Sequence, residues 1–547
     1  MPGRERLTNQ AIAERLEAFA ILLDLAEANA YGPRAYRRAA ELIRATPAPI
    51  DELVRAGRAR ELRGIGPGID ARLRELVETG DIAELAELER SISPELVGLG
   101  RYLGLSAKRA VELARVLGVR NAEELRAAVA AGRLTEVPGI GPVAERKIVE
   151  ALGRSGPATT PRALLLHRAR ALVETIAEGI GGEPAGDARR WRDTCERLAV
   201  VCASERPAEV LERFAALPQI VSLVEQEARR AVGVTVEGVP VELVVASPAS
   251  FGTGLLRATG SEAYVTALEP LPTAPAEAGV FRELGISFCP PELREAPFRG
   301  EPPPLLELGE IRGDLHCHTT WSDGRSSVLE MGLAARGRGY AYLAICDHTR
   351  NVRVVQGLDA DEVRRQGEEI AEANVQLAPF RILRGSECDI LPDGSLDLPD
   401  DVLAELDWVM ASVHAGQRGS REELTMRVVA AMRNPHVSAI GHPTGRLINH
   451  RAPNAVDLGR VIEVAVETGT ALEVNGLPDR LDLRDEHVRA AIEAGVQIVV
   501  STDAHSERGL GNMRLAVATA RRGWARAIDV VNTLPLEALL ARRGRPS

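Results

Sequence analysis

The sequence predicts a multidomain α/β protein with a helical N-terminal part, a small central sheet and a distorted (β/α)7 barrel at the C-terminal end. Three observations lead to this prediction. The chain has 547 residues, which is too long for a single hydrophobic core. Up to about residue 150, apolar residues recur at helical spacing between glycine turns. After residue 311, short apolar runs alternate with helical stretches, which is the pattern of a parallel sheet.

The composition excludes some classes of function. The net charge is −11, so the chain is not a uniformly basic protein that coats nucleic acid. Residues 31–74 differ from the rest, with ten Arg against five acidic residues. The sequence has neither a long apolar run nor a signal-peptide pattern, so we expect a cytoplasmic protein without a membrane span. Cys317, Cys346 and Cys388 lie in apolar runs and are expected to be small buried side chains.

Two Gly-Ile-Gly turns punctuate the helical part and resemble helix-hairpin-helix motifs. In such a motif, backbone N–H groups at a helix N-terminus bind a phosphate oxygen and hold DNA without reading its sequence. A plain turn between helices is the alternative interpretation. The predicted DNA contacts are the turn glycines and three nearby arginines: Gly64, Gly66, Gly68, Gly139, Gly141, Arg34, Arg37 and Arg38.

The run Arg34-Ala-Tyr-Arg-Arg-Ala-Ala and the two turns also resemble the lyase and fingers domains of X-family DNA polymerases. The resemblance implies a lyase-like domain at residues 1–90 and a fingers-like domain at 91–154. In that family, a lysine eight residues after the first turn glycine forms a Schiff base. This position is Arg72 here. A guanidinium stays protonated and cannot form an imine, so we predict that lyase activity is lost.

Residues 186–201 resemble the palm motif of the same family, within a domain expected at 155–248. In the family, two aspartates one residue apart on a strand hold the two Mg²⁺ ions of nucleotidyl transfer. Those positions are Arg197 and Ala199 here, and the third aspartate position is Glu242. Asp187 replaces a serine that helps to hold the triphosphate. We therefore predict a degenerate palm without polymerase activity.

Other parts of the family layout are present. Arg189 and Arg190 of the palm motif are retained, and residues 249–300 resemble the thumb. Residues 153–161 form a linker by composition, and residues 301–310 begin with a stiff Glu-Pro-Pro-Pro connector. The resemblance thus extends over the whole chain.

Seven apolar runs after residue 311 are each followed by a side chain that is able to bind a metal ion. His316 and His318 are two residues apart on the first run, so both rings lie on the same face of a strand. Asn475 ends the sixth run and is the weakest candidate. In a parallel barrel these strand ends meet at one face. The alternative is that each side chain only caps its strand. The candidate metal ligands are His316, His318, Asp323, His348, Glu387, His414, His442, Asp503 and His505.

The motifs that carry these residues, such as Gly-Asp-Leu-His316-Cys-His318 and Thr-Asp503-Ala-His505, resemble the PHP (polymerase and histidinol phosphatase) domain. They are most similar to the PHP domain at the C-terminus of bacterial X-family DNA polymerases. The resemblance covers residues 311–547 and implies a distorted seven-stranded barrel with up to three divalent metal ions. All nine ligand positions of the family are filled. Mixed histidine and carboxylate ligands favour Mn²⁺ or Zn²⁺ over Mg²⁺.

The resemblance implies a metal-dependent DNA phosphoesterase of DNA repair, a 3′–5′ exonuclease that also acts at abasic sites or blocked 3′ ends. Arg446 is a candidate phosphate clamp, with a surface salt bridge as the alternative. We expect single-stranded or gapped DNA as the partner, bound by a monomer without sequence preference. Two alternatives stay open: a small-molecule phosphatase that resembles histidinol phosphatase, and a non-catalytic DNA-binding scaffold. Against the scaffold, a cluster of buried charges is costly to fold without metal.

Overall fold

The structure of the protein is a computed structural model. The structure describes residues 7, 9–25, 32–46, 49–62, 64–91, 93–105, 107–141, 144–146, 148–149, 163–235, 237–352 and 355–542. The predicted linker at 153–161 lies outside these residues. The described residues form two compact units, one from 1–162, 175–182 and 196–246, the other from 163–174, 183–195 and 247–547. The finer domain limits at residues 90, 154, 248, 300 and 310 stay predictions.

The first unit begins with helices, as the sequence predicts. Pro67–Thr79 shows why they form, because Pro67 occupies the first turn and Gly80 ends the helix with a φ of 90°. The buried side chains of this part include Leu16, Phe19 and Ile43. The helices span Asn9–Leu25, Gly32–Ala45, Ile50–Arg55, Pro67–Thr79, Ala83–Ser91, Pro94–Tyr102, Ala107–Leu117 and Ala122–Ala130.

The first unit also contains a sheet. Leu198–Ala203 is parallel to Pro240–Ala246, and the antiparallel strands Arg230–Thr235 and Ile220–Gln226 continue the sheet. A helix at Pro207–Ala215 packs on the strands. Gly98 of the helix Pro94–Tyr102 lies so close to the sheet that a Cβ atom there would be 2.7 Å from the Thr235 carbonyl oxygen. Only glycine allows this approach.

The second unit contains the predicted barrel. Its strands are β1 (Gly313–Cys317), β2 (Tyr342–Ile345), β3 (Arg381–Asp389), β4 (Trp408–Ser412), β5 (Ala439–Ile440), β6 (Ala471–Asn475) and β7 (Ile498–Ser501). In the described part of the chain they form a parallel seven-stranded sheet in sequence order. The helices between and after the strands are Val328–Gly337, Ala360–Leu377, Asp400–Glu405, Arg421–Met432, Leu458–Thr468, Asp485–Glu493, Met513–Arg522 and Leu536–Leu540.

The sheet closes at its carboxyl end. The His318 N–H donates to the Ala504 carbonyl at 2.8 Å, and the Asp503 N–H donates to the His316 carbonyl at 2.9 Å. These bonds join the residues after β7 to β1, so the first and last strands meet. The predicted fold class is therefore confirmed. No helix in the described ranges is both long and apolar enough to cross a membrane.

The remainder of the second unit packs around the barrel. It contains the helices Leu166–Glu174 (the first part of Leu166–Ile180), Gly186–Arg189, Phe251–Thr259, Glu262–Leu268 and Glu277–Glu283, and the short strands Leu164–Leu165 and Thr194–Cys195. Phe298 meets Trp524 edge to face, with ring centroids 4.9 Å apart. Arg521 of the last long barrel helix binds Glu292 at 2.8 Å. The thumb-like region and the barrel thus belong to one compact unit.

Candidate metal centre

The nine predicted ligands meet at the carboxyl ends of the barrel strands. Among the residues that the structure describes, three overlapping groups have ligand atoms within 4.8 Å of one another. The groups are His318, Asp323, His348 and His505; His316, His318 and Asp503; and His348, Glu387 and His414. His442 joins them through Glu387. Because strand ends of a parallel barrel share one face, the fold brings together residues that are far apart in the sequence.

Glu387 of β3 lies at the centre of the cluster and is 1% exposed. One carboxylate oxygen is 2.8 Å from His442 Nε2 and 3.2 Å from His414 Nε2. The other is 2.8 Å from His348 Nδ1 and 3.5 Å from His316 Nε2. Burial opposes the charge, but the imidazoles, His414 first, hold the pKa of Glu387 well below its usual value. A carboxylate shared in this way can bridge two cations.

Two aspartates complete the cluster on its other side. Asp503 Oδ1 lies 3.1 Å from His318 Nε2, and Asp323 Oδ2 lies 3.1 Å from His505 Nε2. Burial raises the pKa of Asp323, but the hydrogen bond from His505 and the charge of His318 lower it to about 2. Burial opposes the charge of Asp503 as well, but the charge of His316 and the hydrogen bond from His318 hold its pKa well below the usual value. Both aspartates are therefore carboxylates at neutral pH, as cation ligands must be.

Several buried atoms of the cluster make no hydrogen bond of good geometry, although His348 Nδ1 lies 2.8 Å from Glu387 Oε2 and His414 Nδ1 lies 3.3 Å from Asp389. Among the described residues these atoms include His316 Nε2, both ring nitrogens of His318, His348 Nδ1, Glu387 Oε2, His414 Nδ1 and His442 Nδ1. A buried polar atom without a partner costs about 1–3 kcal/mol. Their convergence on one region is explained if they bind a common partner. Divalent metal ions suit this role, because imidazole and carboxylate groups are their usual protein ligands. The arrangement has room for several ions because the three groups overlap.

The pKa values of the imidazoles divide into two sets. Burial lowers the pKa of His414 and of His505, but adjacent carboxylates (Glu387 and Asp323) raise both values to about 9. Burial together with the charges of His348 and His505 lowers the pKa of His318 to about 4. Without metal, the cluster therefore holds protons that incoming cations must displace.

Two carboxylates that orient the ligands were not predicted from the sequence. Glu473 of β6 is fully buried, and its Oε1 atom lies 2.6 Å from His316 Nδ1. Its Oε2 atom accepts a hydrogen bond of 2.5 Å from the backbone N–H of His442. Asp389 lies 3.3 Å from His414 Nδ1. Such partners fix the tautomer and the direction of a metal-binding imidazole. The available signal was the acidic residue inside the apolar run Ala-Leu-Glu473-Val-Asn475, two residues before a candidate ligand.

The comparisons with known proteins agree with this geometry. A model of the helix-hairpin-helix domain matches residues 7–82. The DNA polymerase/3′–5′ exonuclease PolX of Bacillus subtilis is 36% identical over 566 aligned residues, which cover 97% of this chain and 99% of that protein. The chain belongs to the PolX family. Two proteins named as probable phosphatases are each 32% identical to part of this chain. The one from Acetivibrio thermocellus matches 35% of this chain and 78% of its own length. The one from Clostridium acetobutylicum matches 36% of this chain and 81% of its own length.

Outside the barrel, the first helix-hairpin-helix turn leads directly into a helix N-terminus. Gly66 directly precedes the helix Pro67–Thr79, and Gly64 has a φ of +114°. A Cβ atom at Gly66 or Gly68 would meet nothing within 4 Å, so this turn is open to an approaching phosphate. Arg34 and Arg38 are exposed on the helix Gly32–Ala45, and Arg37 is half-buried.

The second turn is described only in part. Gly139 has a φ of +76°, and the Arg109 guanidinium donates to the neighbouring Pro138 carbonyl at 2.5 Å. The chain after Gly141 includes residues outside the described ranges. The DNA contacts at both turns stay predictions.

Arg446, the candidate phosphate clamp, is largely buried and paired. The residue is 6% exposed, and its guanidinium donates to Asp193 at 2.8 Å and to the Leu481 carbonyl at 2.5 Å. Arg446 thus forms a salt bridge with a partly exposed aspartate, and its role as a phosphate clamp stays a prediction. Arg480, which the sequence analysis did not single out, is nearer to the cluster, with its Nε atom 3.7 Å from Asp503.

The residues predicted to occupy the palm positions contain no acidic pair. Ala199 is buried in the strand Leu198–Ala203, and Arg197 is exposed just before it. Glu242, directly opposite Ala199 in the sheet, accepts a hydrogen bond of 2.6 Å from Arg230. In the lyase-like region, Arg72 binds Glu75 at 3.0 Å and also contacts Glu84.

Proposed function

We propose that this protein is a metal-dependent DNA 3′–5′ exonuclease whose polymerase and lyase centres are inactive. The observation that carries the proposal is the buried cluster at the barrel mouth, in which unpartnered imidazole and carboxylate atoms converge. Membership of the PolX family makes DNA the expected substrate. Abasic sites and blocked 3′ ends are further candidate substrates because they present the same phosphodiester bond.

The proposed metal ligands are the nine clustered residues: His316, His318, Asp323, His348, Glu387, His414, His442, Asp503 and His505. Up to three divalent ions fit the overlapping groups, and the mixed nitrogen and oxygen ligands favour Mn²⁺ or Zn²⁺. Bound there, such ions would activate a water molecule for in-line attack on phosphorus and offset charge on the phosphoryl oxygens.

The protein's own contribution is orientation and charge. Glu473 accepts the Nδ1 proton of His316 and so leaves the Nε2 lone pair directed at the cluster. Asn475 donates to Asp503 Oδ2 at 3.0 Å, which leaves Oδ1 directed at His318. The cluster is buried, and low dielectric surroundings strengthen its electrostatic interactions with a phosphate.

The contacts of three arginines support an inactive polymerase. Arg230 neutralises Glu242, the acidic side chain at the third palm position. Arg189, a retained palm arginine, forms a bidentate pair with Glu277 at 2.8 and 2.7 Å. Arg190 binds Glu295 at 2.9 Å and Asp187 at 2.5 Å. The arginines available for a triphosphate are thus paired with the chain's own carboxylates, and two metal-binding aspartates are replaced.

The metal cluster is tested by substitution. We expect His316→Ala or Asp503→Ala to abolish release of nucleotides from a 3′ end in the presence of Mn²⁺, because each removes a ligand shared within a group. His167→Ala is the control, since His167 is not a member of any group. Full cleavage by both folded ligand variants would refute the assignment.

The inactive polymerase needs a separate test. The His316→Ala variant lacks the proposed nuclease, so degradation cannot hide synthesis. We expect it to add no nucleotide to a primed template, even with abundant Mn²⁺, because Arg197 and Ala199 offer no metal ligand. Template-directed extension by this variant would contradict the proposal.

A second candidate is a small-molecule phosphatase, which the likeness to the probable phosphatases favours. It uses the same cluster on a different substrate. The two candidates are separated by comparing the hydrolysis of a phosphate monoester with that of single-stranded DNA by the same preparation. Faster turnover of the monoester would favour the phosphatase.

A further inference from the structure

A partly buried salt bridge joins the palm-like segment to the two loops that border the metal cluster. Asp193 lies in residues 183–195, which belong to the same compact unit as the barrel. Its carboxylate accepts a hydrogen bond from Arg446 Nη1 at 2.8 Å. Arg446 follows β5 in the loop that carries His442, and its Nη2 donates to the carbonyl of Leu481 in the loop after β6. One guanidinium therefore links three segments.

On one side of Leu481 the loop after β6 contacts the cluster, and on the other side it contacts the loop that carries His442. Arg480 Nε lies 3.7 Å from Asp503, a member of the metal cluster. The Asp482 carboxylate accepts the Thr444 N–H at 3.0 Å, two residues after His442. His442 itself has a left-handed φ of 27°, a conformation that a non-glycine residue keeps only when its surroundings hold it. A shift at Leu481 would thus reach both Asp503 and His442.

The backbone of Asp193 is itself well anchored. Its carbonyl accepts the Leu166 N–H at 3.1 Å, and the next residues, Thr194–Cys195, pair with Leu164–Leu165 as antiparallel strands. Asn449 of the loop after β5 donates to the Ala163 carbonyl at 3.0 Å, beside this pair. The palm-like segment is thus a fixed support against which the loops rest.

We propose that Asp193 is a positioning residue of the exonuclease and acts through Arg446 to hold His442 and Asp503 for metal binding. This inference rests on the proposed function. It assigns a task to a segment that resembles a polymerase palm but has no polymerase role. Removal of Asp193 leaves the Arg446 guanidinium buried beside one carbonyl, and the loops lose their common support.

The test uses the full-length protein and Mn²⁺ as the probe. We expect Asp193→Ala to lower both the affinity for Mn²⁺ and kcat on single-stranded DNA by about tenfold, the lower end for residues that orient metal ligands. Asp193→Asn keeps an oxygen for Arg446 and should lose less. Asp361→Ala is the matched control. The Asp361 side chain is 90% exposed, and its ion pair with Arg364 is long, at 3.9 Å.

A double variant separates positioning from general destabilisation. If Asp193 acts through Arg446, the pair Asp193→Ala and Arg446→Met should have no lower Mn²⁺ affinity than Arg446→Met alone. Unchanged affinity in Asp193→Ala with only a lower melting temperature would overturn the inference, as would losses that multiply in the double variant. If the parent protein does not cleave DNA, the proposed function fails, while the Mn²⁺ titrations still test the bridge.

Discussion

Glu473 provides the sharpest test of the metal centre because it touches two proposed ligands without being one. Four groups donate to its carboxylate: His316 Nδ1 and the Ser501 hydroxyl to one oxygen, and the His442 N–H and Asn475 Nδ2 to the other. Glu473→Gln preserves the shape of the side chain but has one oxygen instead of two. The substitution therefore changes hydrogen bonding with little change in volume.

Either orientation of the new amide harms the site. If its NH₂ faces the His442 N–H, two donors oppose each other where a bond of 2.5 Å existed. If its NH₂ faces His316 instead, Nδ1 must accept, and the ring proton moves to Nε2, where a metal ion would bind. One buried unsatisfied donor costs about 1–3 kcal/mol. At about 1.4 kcal/mol per tenfold, this corresponds to a loss of roughly 5–150-fold in metal affinity.

The loss should depend on pH in a defined direction. Burial opposes the protonation of His316, but Glu473 and Glu387 together raise its pKa well above the usual value. In the parent protein, a proton on His316 competes with the metal ion when the pH is below that pKa. Glu473→Gln weakens the competition because it lowers the pKa of His316. The affinity ratio of parent to variant should therefore grow as the pH rises.

Calorimetric titration of the metal-free proteins with Mn²⁺ at several pH values measures this ratio directly. Glu467→Gln is the matched control, since Glu467 is exposed on the helix that precedes β6. Equal Mn²⁺ affinity of Glu473→Gln and the parent at every pH would refute the role of Glu473. A ratio that falls as the pH rises would refute the proton competition.

Three further predictions address other parts of the molecule. Because the pKa values of His414 and His505 are about 9, metal binding at pH 7 should release protons and should strengthen towards pH 9. Calorimetric binding heats that are the same in buffers of different ionisation enthalpy would contradict this prediction. Arg34→Ala with Arg38→Ala should weaken DNA binding and reduce its log–log salt slope by about one to two, with hydrolysis of a small phosphodiester unchanged; equal losses on both substrates would indicate a structural role instead. Glu277→Gln should lower the free energy of unfolding by about 3–5 kcal/mol in denaturant titration, because Arg189 and Arg294 lose their charged partner. Glu283→Gln is the control and should have no such effect, since Glu283 is exposed.

The sign of the Glu277 effect also follows from the structure. Burial raises the pKa of Glu277, but Arg189 and Arg294 lower it by more. The folded-state pKa is therefore below the usual value. Its contribution to stability is present above the unfolded-state pKa and is lost as the pH falls through the folded-state value. The difference between Glu277→Gln and the parent should therefore shrink in acid.

Much of the barrel could be predicted from sequence because its signals are local. Each strand is a short apolar run, as at Tyr342–Ile345, and each candidate ligand lies in that run or shortly after it. Parallel strands share a carboxyl edge, so strand assignment alone predicts that His316, His348 and His414 approach one another. The two glycine turns are equally local, and the helix-hairpin-helix match at residues 7–82 includes the first of them.

The sequence by itself determined the fold class and the family, and it contained the nine side chains that gather at the barrel mouth. Only the tertiary structure decided how those side chains are held. Glu473 and His316 are 157 residues apart, and Arg446 and Asp193 are 253 residues apart, so no periodicity or spacing could pair them. The pKa values of the imidazoles likewise depend on burial and on neighbouring charges from other strands. The physical reason is that residue type and local pattern select secondary structure, whereas burial and charge pairing exist only after distant segments have packed together.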